Sequence, residues 1–470
     1  MMRMPVLRTG TIWPGLGERQ SGPRSFSRLA TAAALVAAAW FPHAAVAEDL
    51  VQVFDLARVH DPALQALQAQ SQAATPRVTE ARAALLPNLS VVGASTSLHY
   101  DPSAADVDTA GTHVDSRSNT VNLNLRQTLY NPAAVADLSL AEAGERSAQL
   151  DFKIALQDFI LRVAQAYFDV LAAQDVLATK QLSKVAIKGQ LDAAHTKTEA
   201  GLGVVTDEQD AQARYDLAQS EEVAAENDVR VSRLVLDRLT GRTGVQPNRM
   251  TAQPALAPTA SDSLDSWIQI AARHPAVQRA EIGLDRARLE LGRARAGYLP
   301  TVDLIGNVGT SHVSGAQSPL STMPPGHVVT SSVGVQIVIP LFSGLSTAGR
   351  VSETALLAEQ ARQNVAAAAQ TATEQTERAF FDLQSSLARV NALAAAEDSS
   401  RASFEGTQRG YNAGLRLNLD VLNAQAQLFQ TRTDLARARY NVLVQGLRLS
   451  AAAGSLLPES LLAVNRLLTP

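Results

Sequence analysis

Cysteine is absent from all 470 residues. Its absence excludes disulfide frameworks, thiol catalysis, cysteine-based metal sites and a lipid anchor on an N-terminal cysteine. A positive surplus is missing too, the formal net charge being −4. Removing the five arginines and one glutamate of residues 1–47 leaves 36 basic and 44 acidic side chains, a net charge of −8, which excludes a nucleic-acid partner. Beyond residue 47 no apolar run reaches 18 residues, so a membrane-spanning helix is not expected. A β-barrel would need no such run. Catalytic signatures are lacking as well. None of the eight histidines forms H-E-x-x-H, no G-x-x-x-x-G-K-[ST] is present, and "GLSTAG" at Gly344 has Ala348 where a nucleophile elbow needs glycine. The expectation is a protein that is not an enzyme, holds no cofactor and has no built metal site, its loop histidines His99, His113, His312 and His327 being scattered.

Residues 1–47 read as a secretory signal: scattered arginines ending at Arg24 and Arg28, an apolar run from Leu29 to Phe41, then the small-residue site Ala45-Val46-Ala47. The mature chain is expected to begin at Glu48. That chain is written twice. "ARAALLPNLSVVG" from Ala81 returns as "ARAGYLPTVDLIG" from Ala294, an offset of 213. Asp61-Pro62 answers to His274-Pro275, "AYFDVL" at Ala166 to "AFFDLQ" at Ala379, and "AGLGVVTDEQDAQA" at Ala200 to "AGLRLNLDVLNAQA" at Ala413. One offset kept over so much chain indicates two tandem structural units, 48–261 and 262–470, rather than a short-period solenoid.

Proline is missing from 133 to 246 and from 341 to 457, tracts filled with Ala, Leu, Gln, Glu and Arg. Long helices are expected over 133–240 and 345–457. Leu156, Ile160, Val163, Tyr167 and Val170 follow the four-three spacing of a coiled-coil seam. Unbroken from Ala133 to about Thr198, that helix would reach roughly 100 Å. On the helices alone, a cytoskeletal or adaptor coiled coil fits equally well.

Prolines 87, 132, 300 and 340 bracket a different texture, a strand hairpin at about 88–130 and another at about 301–342. "VNLNLRQTLY" places Val121, Leu123, Leu125 and Leu129 on one face and Asn122, Asn124, Arg126 and Thr128 on the other; "VGVQIVIPLF" repeats this with Val335, Ile337, Ile339 and Leu341. The strands before them alternate less cleanly, with Val92, Leu98 and Ile305 out of phase. Strands of about 10 residues match a tilted membrane crossing. Tyr130, Tyr298 and Phe342 at the helix-side ends and Tyr100 at the other suit an aromatic girdle, and the polar stretches 101–118 and 314–326 suit external loops. Four strands cannot close a barrel, and an open edge in lipid leaves unpaired backbone groups at several kcal/mol each. The chain must pool strands with other copies of itself.

The leader, the doubled pattern of helix, hairpin and long helical pair, and the motifs "LLPNLSV", "YLPTVDL", "AGLGVVTDEQDAQARYD" and "GYNAGLRLNLDVLNAQ" together resemble the TolC family of outer-membrane export channels. The resemblance runs from about Leu50 to Leu457. It implies an α plus transmembrane β fold: a homotrimer sharing a 12-stranded barrel in the outer-membrane lipid, continued across the periplasm by a tunnel of α-helices. It implies a gate at the periplasmic end, with Tyr411 and Arg416 on one helical hairpin meeting Thr206 and Asp207 on the other. Asp420 would form a carboxylate ring at the narrowest point; Asn423 stands where the family's pattern has a second acidic ring, a departure that weakens any inference of strong cation selectivity. The implied partners are a periplasmic membrane-fusion adaptor and an inner-membrane ABC transporter or proton-driven pump. Type I protein secretion is the favoured cargo reading, because many drug-efflux relatives carry the lipid-anchor cysteine lacking here; small-molecule efflux is the alternative, and a non-channel periplasmic adaptor stands behind both.

Overall fold

The computed structural model describes residues 48–100, 114–250, 263–315 and 326–468. The leader read over 1–47, most of the two loop stretches, His113 and the side chain of Tyr100 lie outside these residues.

Two short helices open the chain, α1 (Leu50–His60) and α2 (Pro62–Ala83), followed by β1 (Asn88–Tyr100), β2 (Val114–Tyr130) and two long helices, α3 (Pro132–Glu199) and α4 (Val205–Thr240). The same succession follows as α5 (Leu264–Ala271), α6 (Pro275–Ala296), β3 (Thr301–Gly315), β4 (Gly326–Val338), α7 (Ser346–Asn412) and α8 (Asn418–Ala452); a short α9 (Ser460–Asn465) ends it. Three helices begin at a proline whose missing N–H would have been unsatisfied anyway. The residue before each proline caps the helix: Asp61 accepts the Leu64 N–H at 2.8 Å, Asn131 that of Ala134 at 3.2 Å and His274 that of Ala276 at 3.0 Å.

At 68 residues, α3 is a rod of about 100 Å, within a residue of the expected span at each end. Ile160, Val163, Tyr167 and Val170 of its seam are fully buried, and Leu156 packs beside them. Around this stretch, halfway along the rod, α1, the end of α4 and the C-terminal segment form the main core, with Phe54 and Phe159 ring centroids 5.7 Å apart. The Tyr167 hydroxyl donates to the carbonyls of Glu48 and Asn248, at 3.1 and 3.3 Å, tying both ends of the first unit to the rod. A second core gathers Trp267, Leu383, Val390, Leu435 and Leu449 on α5, α7 and α8. Trp267 stands 213 residues after Phe54, so the offset seen in the sequence places an aromatic of each short helix against its own long pair. No helix among the described residues is long and apolar enough to cross a membrane.

The strands form one antiparallel sheet in the order β1-β2-β3-β4. They run 13 to 17 residues rather than about ten, because cross-strand pairing continues past the aliphatic segment to Tyr100–Val114 and Ser116–Gly315. Residues 114–118, 314–315 and 326, expected in loops, are therefore strand. Conversely, Ile339 and Leu341 lie beyond β4, since Pro340 has no N–H for the ladder. The final long helix stops at Ala452 rather than 457: Gly454, at φ +76°, turns the chain and returns its N–H to Ala451.

Candidate functional site: an open sheet and two helical tips

Directly opposed residues of an antiparallel sheet share a face, so the register sorts the side chains into rows. On one face lie Val302 and Ile337, then Leu304 and Val335 with Gln127, then Leu89, Leu125 and Val333 with Gly306, then Val91, Leu123 and Val308 with Ser331, then Val121 and Val329 with Gly93 and Thr310. Most of these aliphatics are exposed. Five rows two residues apart, at about 3.3 Å per residue and a tilt of about 40°, stand roughly 20–25 Å tall, the height of a lipid-facing band. Tyr130 pairs with Val302 across a register shift and so borders the band on its helix side; Tyr298 and Phe342 line one small cavity of about 110 Å³ nearby.

The opposite face is polar. Asn307 donates to Asn124 at 2.7 Å, Arg126 meets Asp303 at 2.6 Å and the Thr128 hydroxyl donates to Asp303 at 3.2 Å. The out-of-phase Val92, Leu98 and Ile305 belong to this face. Strands β1 and β4 are its two edges and do not pair with each other.

At the far end of the rods, α3 turns into α4 and α7 into α8 by one and the same geometry. Gly201 and Gly414 take φ of +70° and +76°, and the N–H groups of Leu202 and Leu415 return to the carbonyls of Lys197 and Gly410 at 2.9 and 2.8 Å. This six-to-one closure requires a residue that tolerates the left-handed region, hence glycine. The turns differ in which flank carries a side chain. In the first, position 197 is lysine and 203 glycine, where a Cβ would strike the Thr198 nitrogen at 2.9 Å; in the second, position 410 is glycine and 416 arginine.

The expected gate residues sit at these tips, and within one chain they have other partners. Within one chain, Tyr411 and Arg416 do not meet Thr206 and Asp207. The Lys197 ammonium lies 4.0 Å from the Tyr411 ring centroid, a cation–π contact between the hairpins. Arg416 approaches Asp420 at 4.0 Å, and Asp420 also accepts the Leu417 N–H at 3.3 Å in the first turn of α8. Among the described residues, the Asp207 carboxylate and the Thr206 hydroxyl have no hydrogen bond or ion pair within the chain, while the Asp207 carbonyl accepts from the Asn418 amide at 3.1 Å. Asn418 is buried and also accepts from Gln190. Arg214 donates to Asn423 at 3.0 Å, so the side chain expected to thin the acidic ring is held by the first hairpin. Beside them His195 contacts Glu208 at 2.8 Å and Glu199 at 3.3 Å; the bond to Glu208 and then the Glu199 charge raise its pKa.

Sequence reading did not single out Asn418, Gln190, Arg214 or Lys197, yet a signal was present. Asn418, Leu422, Gln425 and Phe429 keep the four-three spacing of a seam and are all buried, so two of the buried seam positions of α8 are polar. Polar seam residues commonly set register between helices.

The sheet and tips together describe a wall with one apolar and one polar side, joined to long rods. Matching stretches to the outer membrane efflux protein family cover residues 53–242 and 268–455. The chain belongs to that family. It is 29% identical over 422 residues to the outer membrane protein TolC of Vibrio cholerae serotype O1, covering 89% of this chain and 93% of the relative. It is likewise 29% identical over 425 residues to the alkaline protease secretion protein AprF of Pseudomonas aeruginosa, covering 88% and 85%. The solved outer membrane protein VceC of Vibrio cholerae shares the fold with a TM-score of 0.73 at 17% identity, over 86% of this chain and 96% of that one. The family member described here is an exit channel of the Gram-negative outer membrane that extends into the periplasm.

Proposed function

We propose that three copies pool their sheets into one 12-stranded barrel, aliphatic face outward and polar face lining the pore, and that the helical rods continue it as a periplasmic tunnel. The observation that carries this reading is the open sheet: two unpaired edges flank an exposed, predominantly aliphatic face, and closure with further copies would satisfy both edges. The chain is a conduit rather than an enzyme. The tips form its gate. With the Asp207 carboxylate and Thr206 unpaired within the chain, Arg416 and Tyr411 of one copy can reach them on the next. Exposed Leu202 and Leu415 at the ends of both hairpins offer an apolar docking point for a periplasmic adaptor that joins the duct to an inner-membrane ABC transporter or proton-driven pump.

Type I secretion of a protein is the first cargo reading, supported by the absent anchor cysteine and by likeness to a protease secretion protein. Small-molecule efflux is the second, supported by the family's own description. Comparison of secreted protein and drug sensitivity in a deletion strain separates them. The pore and gate are tested in a planar bilayer with wild type beside Tyr411→Phe/Arg416→Ser. A small steady conductance that rises sharply in the double variant is expected; equal, larger conductances would remove the gate, and no channels from inserted oligomer would favour the adaptor reading.

A further inference from the structure

Directly beyond the aliphatic band on the outer face, the next row reads Ser95, Asn119, His312 and His327, one residue from each strand and all directly opposed. This row sits at the end of the sheet away from the helices. If the five aliphatic rows fill the hydrocarbon layer, it stands at the level of the outer-leaflet headgroups. Arg117 is one row further out on the same face, and its guanidinium turns back toward the band, with Nε 3.5 Å from the Ser95 hydroxyl, which itself donates to Asn119 at 2.7 Å. Both imidazoles and Arg117 are exposed. Neighbouring strands are about 4.8 Å apart, so these groups fall within reach of one headgroup. Among the described residues, the acidic side chain nearest in register is Asp115, two residues from Arg117, and it is held against His99.

Aromatic side chains would ordinarily finish such a boundary, as Tyr130 does at the other end. Here the row and Arg117 beside it instead offer a guanidinium, an amide and two imidazoles, each with one N–H in either neutral tautomer, the His327 ring also contacting the Thr310 hydroxyl at 3.2 Å. Charge-assisted, multi-donor recognition of this kind fits a phosphate group. We propose that Arg117, His312 and His327 form a docking surface for the phosphorylated headgroup of the outer-leaflet glycolipid, repeated on every copy around the barrel. The surface rests on the shared-barrel reading, because only closure of the sheet sets this face toward lipid. Its role would be to hold the barrel at a defined depth and seal its rim against the leaflet.

Native mass spectrometry of the purified full-length oligomer, with added diphosphorylated lipid A or the same glycolipid stripped of phosphate, tests this. Wild type should prefer the phosphorylated form by about ten-fold, and Arg117→Gln/His312→Asn/His327→Asn should bind both forms alike while keeping its oligomeric state. The three positions are exposed, so the substitutions leave packing intact; Arg117→Gln alone should lose part of the preference. Equal binding of both glycolipids by wild type, or an undiminished preference in the triple variant, would overturn the surface while leaving the barrel standing. A protein recovered as lipid-free, water-soluble monomers would overturn the barrel and the surface together.

Discussion

Gly410 lies directly under the side chain of Arg416: a Cβ at position 410 would come 2.9 Å from Arg416 Cγ and 3.6 Å from its Cβ. At the equivalent place in the other turn the roles are exchanged, Lys197 carrying the side chain and Gly203 leaving the space, with a Cβ at 203 only 3.1 Å from Lys197 Cβ. The turn has room for one side chain on this pair of positions. Gly410→Ala therefore pushes aside the flexible Arg416 stem, leaving the fold intact while moving the guanidinium away from Asp420. Gly203→Ala meets backbone, which cannot swing away, and should lower stability by about 1–3 kcal/mol. Resting conductance should rise in Gly410→Ala with an unchanged melting temperature, and the melting temperature should fall in Gly203→Ala; the reverse assignment would refute the account.

Asn418 joins the two hairpins through both halves of its amide. Asn418→Ala leaves the Asp207 carbonyl and Gln190 without this partner at a buried position, a cost of about 1–3 kcal/mol per copy. Asn418→Asp keeps the size but turns an acceptor toward the Asp207 carbonyl. Both variants should open more readily than wild type with Tyr411 and Arg416 intact, Asn418→Asp at least as much as Asn418→Ala. Single-channel recordings indistinguishable from wild type would show that the hairpins are held elsewhere.

Much of this fold was legible in the sequence because its physical signals are long. A proline-free tract and a four-three seam announce α3 almost to the residue, and the alternation from Val121 to Arg126, with Leu129 beyond it, announces a two-faced strand. What escaped depends on where separate elements meet. The outer parts of β2 and β3 carry no aliphatic alternation, so residues 114–118 read as loop although pairing holds them in the sheet. Pro340 ended β4 earlier than the aliphatic pattern suggested. At the tips, Tyr411, Arg416 and Asp420 lie on the hairpin of α7 and α8, but partner choice follows from the angle between hairpins, which no local spacing encodes. Lys197 and Arg214 became visible as partners only when α3 and α4 were laid beside α8.

His195 couples the end of α3 to the start of α4 through Glu208, and its pKa is raised above 6.5 by that bond and by Glu199. A raised folded-state value means the contact contributes its full stability below the unfolded value near 6.5 and loses it as pH climbs through the folded value. The melting temperature should consequently fall as pH rises from about 6.5 through the raised folded-state value, and His195→Gln should remove that part of the slope. Parallel pH profiles for wild type and His195→Gln would show that the pair does not stabilise the tip.

Asp420 and Asn423 lie one turn apart on α8, and the structure gives them different duties. Asn423 is bound by Arg214 of the other hairpin, so the position contributes no charge and its amide is committed to holding the hairpins together. In the proposed trimer, cation preference at the aperture would then rest on a single Asp420 ring, where three carboxylates facing one axis would repel one another and attract cations. That ring is partly screened by Arg416, 4.0 Å away. Asp420→Asn is the cleaner substitution, because an amide oxygen can still accept the Leu417 N–H, whereas Asp420→Ala also removes that bond at about 1 kcal/mol. Both should shift the reversal potential in a salt gradient toward non-selectivity and weaken block by polyvalent cations, while Arg416→Ser should strengthen cation selectivity by unscreening the ring. An unchanged reversal potential together with unchanged block in both Asp420 variants would place the selective constriction elsewhere in the tunnel.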